Sequence, residues 1–172
     1  MMQANGSAKP FSEGMHRSSL GVNEFSSGTV SAPGTADVDV DTLRVNFSHG
    51  LFLSETIEVG GMLGYSDIDS GGGSATQYTI DAYGRWYFDH QARLRPWAQA
   101  YIGMGNNDPG GTAADRDLTE YGVGVGVSDM ISDSTSFDLG LDYRMQTMDD
   151  AGGDIDTDGL YLTAAFSFFY GD

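Results

Sequence analysis

The chain has 172 residues, with 25 acidic against 8 basic side chains, a formal charge of −17 and no cysteine. That length suits one domain, so acidic a balance excludes the basic patch a nucleic-acid partner needs, and the missing cysteine excludes disulfides and thiol chemistry. No stretch approaches the roughly 20 apolar residues of a transmembrane helix, although the mean hydropathy of −0.27 says little about a barrel, whose alternation hides a lipid-facing half.

The start, "MMQANGSAKPFSEGMHR", lacks the apolar stretch of a signal peptide. Residues 1–16 are therefore expected to be a flexible N-terminal segment, with any export signal removed or replaced. A period of two then recurs down the chain. It predicts strands near 17–29, 40–53, 56–67, 76–88, 93–105, 118–130, 135–147 and 158–170, which leaves 171–172 as a tail. No segment carries a helical period. Three connections are tight: "LSET" (53–56), "DHQA" (89–92) and "SDST" (132–135). Four are longer and rich in glycine and aspartate, at 27–41, 66–76, 105–117 and 148–159. Tight and long connections alternating along the strands predict an antiparallel up-and-down barrel with one short-turn rim and one long-loop rim.

Each strand splits into two faces by parity. One face is apolar, as in Leu43, Val45 and Phe47, or Tyr121, Val123 and Val125. The other carries Arg44, Glu58, Asp81, Arg85, Arg95, Glu120, Asp138, Asp142 and Arg144, interleaved with glycine and with Tyr83, Tyr87, Trp97 and Tyr101. A protein this poor in cations has no need to gather its arginines among acids on a solvated surface. An enclosed interior does, because buried charges must be paired. Outward aromatics also fall into two belts. Tyr65, Tyr78, Tyr121 and Tyr143 lie toward the long-loop rim; Phe47, Trp86, Phe88, Phe137, Phe166, Phe168 and Tyr170 lie toward the short-turn rim. Two belts flanking an aliphatic band are the interfacial girdles of a bilayer protein. The fold expected is all-β: an eight-stranded transmembrane barrel, apolar outside and polar within.

The segments "IEVGGMLGYSDIDSGGG", "YTIDAYGRWYFD", "LRPWAQAYIGMG", "YGVGVGVSDMISDSTSFDLGLDYRM" and "LYLTAAFSFFY" resemble those of small Gram-negative outer-membrane β-barrels, the family of the OmpA transmembrane domain and OmpX. The resemblance implies an outer-membrane location, short periplasmic turns, long acidic extracellular loops, and contact with membrane lipid and lipopolysaccharide. It also implies a closing aromatic residue read by the barrel assembly machinery. Tyr170 stands there, followed by Gly171 and Asp172, slightly off the family's pattern. No peptidoglycan-binding domain follows the barrel, so no wall anchor of the OmpA type is expected.

The sequence Asp154-x-Asp156-x-Asp158-Gly159 imitates the start of an EF-hand calcium loop. Counting from Asp154, the bidentate acid of position 12 falls on Ala165, and the residues that follow alternate as a strand, so no EF-hand forms. No metal or cofactor site is expected, apart from weak calcium or magnesium binding at the acidic loops: Asp37, Asp39, Asp41, Asp67, Asp69, Asp108, Asp115, Asp117, Asp149, Asp150, Asp154, Asp156 and Asp158. No enzyme is expected either. His16 precedes the first strand, His90 sits in a turn, and His49 points away from its neighbour Ser48, as adjacent strand residues must. The functional expectation is a structural or surface-interacting membrane barrel whose side chains fill its lumen. Two alternatives stay open: a small porin-like ion channel, and a soluble lipocalin-like barrel that binds a ligand within its apolar face.

Overall fold

The computed structural model describes residues 11–31, 38–39, 41–70, 73–110, 115–149 and 153–171. Expectations placed on residues 1–10, Asp37, Asp150 and Asp172 lie outside them. The strands are β1 (His16–Ser31), β2 (Val38–Asp39), β3 (Asp41–Phe52), β4 (Ile57–Ser70), β5 (Gly73–Tyr87), β6 (Leu94–Asp108), β7 (Arg116–Ser132), β8 (Thr135–Met148) and β9 (Ile155–Tyr170). The two-residue β2 pairs with Thr29 and Val30 of β1. The eight long strands pair antiparallel with their neighbours in chain order, and β1 also pairs with β9. The sheet is closed, so no long strand presents an unpaired edge.

The three tight connections fall where the sequence puts them, at one rim. In the turn between β5 and β6 the Asp89 carboxylate accepts the N–H groups of Gln91 and Ala92, at 3.0 and 3.1 Å. These two bonds hold its carboxyl below the usual carboxylate range. At the opposite rim the strands run farther than expected. The β4–β5 ladder continues to Ser70↔Gly73 through the stretch 66–76 expected as a loop, and β6–β7 continues to Asn107↔Arg116. Polar residues ended the apolar pattern but not the backbone pairing, which does not require an apolar face.

Two further features are local. The register of β1 against β9 shifts between Phe25 and Ser27, a β-bulge near the loop-side end of the strand. The N-terminal segment is not free up to residue 16. Phe11 and Met15 are buried, and the strand begins at His16. A turn from Ser12 to Met15 (Met15 N–H to Ser12 O, 3.2 Å) reverses the chain. Gly14 supplies the φ of 83° this turn requires at its third residue.

Burial decides which face is wet. Outward Ile80, Ile102 and Met104 are 59, 63 and 68 % exposed, whereas inward Arg44, Glu58 and Glu120 are 0 % exposed. The molecule is apolar outside and charged inside. The long strands have 12 to 17 residues, more than the roughly 9–11 that a tilted strand needs to cross a hydrocarbon layer.

Candidate functional site

Among the described residues, the lumen gathers most of the charged side chains that contact one another. Alternation along eight antiparallel strands sends every second side chain inward, and glycines opposite the large ones make room. A side chain at Gly126 or Gly140 would collide with the Trp97 indole, and one at Gly64 with the Arg44 guanidinium. Bulky and absent side chains thus interdigitate across a narrow barrel.

Two ionic clusters cross this space. Toward the loop rim, Arg44 donates to both oxygens of Glu120 (2.9 and 2.8 Å), to Asp81 (3.1 Å), and to the oxygens of Asn46 and Thr79. Gln146 donates to the same Glu120 at 2.6 Å. Arg144 lies 4.0 Å from Glu120, donates to Tyr101, and stacks its guanidinium 4.2 Å from the Tyr161 ring. Nearer the turn rim, Arg17 donates to both oxygens of Glu58 (2.9 and 3.0 Å), to Asp138 (3.2 Å) and to Ser167 (3.0 Å). The hydroxyls of Tyr83 and Tyr87 donate to Glu58 as well. Arg85 lies 3.5 Å from Asp138 and 4.1 Å over the Trp97 ring. It donates to Gln99, whose amide donates to Asp142 at 2.8 Å.

All nine interior residues picked by parity therefore face the lumen, but Arg95 stands apart from the two clusters. It donates to the carbonyl of Ala92 at 3.0 Å, with its guanidinium 4.0 Å over the Phe11 ring. Arg17 was missed. Its signal was present in "HRSSLGV", where Arg17, Ser19 and Gly21 share one parity and Leu20 and Val22 the other. With Arg17 included, the lumen holds five arginines and five carboxylates among the described residues, and is neutral. A cavity of about 60 Å³ remains between the clusters, beside Ser19, Ser48, Trp97, Tyr101 and Asp142. That exceeds the roughly 10–15 Å³ a cavity needs to hold one water.

The outer surface carries the two aromatic belts. Tyr65 and Tyr78 sit on one rung with rings 5.2 Å apart, and Tyr121 and Tyr143 are exposed near the same rim. At the other rim, Trp86 and Phe88 are 4.9 Å apart and Phe137 and Phe166 5.2 Å apart, with Phe47, Phe168 and Tyr170 exposed beside them. His49 belongs to this rim. Its Nδ1 lies 3.1 Å from Ser18 Oγ and 3.2 Å from Tyr170 Oη, and His16 stacks 5.3 Å away. Ser48 points into the lumen, so the adjacent pair does not meet; the hydroxyls that reach His49 come from β1 and β9. This cluster clasps the seam where the barrel closes. His90, in its turn, lies 3.2 Å from Glu55. Among the described residues, no three acids, histidines or cysteines are placed to hold a metal.

No family model matches the sequence, and no curated protein does. Solved structures do match by shape. Neisserial surface protein A superposes with a TM-score of 0.62 at 16 % identity, over 91 % of this chain and 99 % of that one. The outer membrane protein OprG from Pseudomonas aeruginosa gives 0.62 at 8 % identity, over 96 and 100 %. The outer membrane protein AlkL gives 0.60 at 16 %, over 99 and 98 %. This is the fold of the small Gram-negative outer-membrane β-barrels. The resemblance drawn from the sequence is borne out at the level of the fold, and the lipocalin-like alternative is set aside, since the apolar parity lies outside the barrel rather than around a cavity.

Proposed function

We propose that this chain is an integral outer-membrane β-barrel with a structural or surface-interacting role and a lumen closed by its own side chains. The observation that carries the reading is the reversal of burial: full-length strands apolar on the outside, around buried ion pairs. In water such a molecule would expose its apolar face all round, far beyond the few hundred Å² a soluble monomer shows as one patch. In a bilayer that face is solvated by lipid, with the aromatic belts at the two interfaces. On this reading the short turns face the periplasm, the acidic loops face outward among lipopolysaccharide, and assembly runs through the barrel assembly machinery.

Extraction and conductance test it together. Membrane fractions should release the protein only with detergent, and the folded form should migrate differently on gels before and after boiling. Monodisperse protein in plain buffer would remove the reading. The second reading, a small ion channel, draws on the Arg85–Asp138 contact, which at 3.5 Å is longer than the other cluster pairs made by Arg17 and Arg44. Planar bilayers should show no large steady conductance; a steady current that changes in Arg85→Ala would favour the channel instead.

A further inference from the structure

We propose that residues 11–15 are a self-docked stopper that closes the turn-side mouth of the barrel. The charged clusters do not extend to that mouth. There the lumen is floored by Phe52 of β3, Tyr87 of β5, Trp97 of β6, Met130 of β7 and Phe169 of β9, all buried. These side chains sit on five strands around the circumference, so they converge only when the barrel is closed. Uncovered, they would present an apolar floor to water.

Phe11 covers them. Its ring lies 4.6 Å from Phe52, 4.8 Å from Tyr87 and 4.8 Å from Phe169, and the Arg95 guanidinium lies 4.0 Å over it. Phe11 itself is 2 % exposed. The Ser12–Met15 turn aims it inward, and two backbone bonds tie that turn to the end of β3: Gly14 N–H to Phe52 O at 2.9 Å, and Phe52 N–H to Met15 O at 2.8 Å.

Gly14 and Met15 extend the β1–β3 pairing through those two bonds, whereas Phe11 to Glu13 lie beyond the ladder. Segments of this kind open locally at free energies well below global unfolding, so Phe11 can leave its cage while the strands stay paired. The layer above, Arg17 with Glu58 and Asp138, does not depend on it. Withdrawal therefore uncovers the floor without clearing a path through the barrel.

The absence of cysteine makes the test clean. Met130→Cys places a single thiol beneath the stopper, and its maleimide labelling is followed in full-length protein folded in detergent micelles. Phe11→Ala should speed labelling at least about tenfold, with heat-modifiable mobility retained, because local opening and not unfolding limits access. Phe11→Leu should fall between. A folded Phe11→Ala protein that labels at the unaltered rate overturns the proposal. A second arm keeps Phe11 and adds sub-denaturing urea. Labelling through local opening should depend on urea more weakly than global unfolding does, because it exposes less surface. An identical dependence overturns the proposal, and this arm decides alone if Phe11→Ala fails to fold.

Discussion

Arg44 shows how much a single side chain can carry in this lumen. It is fully buried and bonds Glu120 and Asp81 at once. Arg44→Ala would leave Asp81 buried without its cation and Glu120 with only the more distant Arg144, at a cost of about 3–5 kcal/mol. The quadruple variant Arg44→Met, Arg144→Met, Glu120→Gln, Asp81→Asn removes two cations and two anions together and should lose much less. Urea midpoints in micelles distinguish the two, and equal midpoints would show that the cluster is not what holds the lumen. Parity was enough to read these residues from the sequence, because the strand period leaves a side chain only two directions. Their partners were not legible. Arg17 bonds Glu58 and Asp138 from across the barrel, and Arg95 turned to a carbonyl and a ring; both outcomes depend on barrel width and stagger, which one strand does not encode.

At the scale of the strand, the two faces have opposite tolerances. Val125 lies outward near the middle of β7, 58 % exposed between the two belts. Val125→Arg should destabilise the protein in bilayers by about 2–4 kcal/mol, the cost of a cation near the midplane. On a solvated surface the same change would stay within about 0.5 kcal/mol, so a neutral result in vesicles would contradict the membrane placement. Strand existence and the turn rim were legible because apolar alternation and turn residues mark them. The loop-side strand ends were not, since those ladders run on through serine, threonine and aspartate. The docking of Phe11 was hidden for another reason: one aromatic in a polar leader has no periodicity, and its cage is assembled from five distant strands.

For the whole molecule, the five arginines of the lumen balance its five carboxylates in number, so the formal charge of −17 belongs to the outside. Outward Asp67, Asp108, Asp117, Asp149, Asp156 and Asp158 stand beyond the tyrosine belt on β4 and β6–β9 or just past their ends, all exposed. Carboxylates at headgroup level suit weak calcium or magnesium bridging to anionic lipid, since these ions take oxygen ligands. Calorimetry with calcium should then give a salt-sensitive heat and a raised melting temperature. No heat and no shift would leave these acids a solvating rim.

That crown of carboxylates also sets its own microenvironment. Fixed negative charge gathers a cloud of counterions, protons among them, within about a Debye length of roughly 10 Å at 0.1 M salt. The film of water over the loops is therefore more acidic than the bulk medium, and anything that approaches the barrel from that side meets this local pH before it meets the protein.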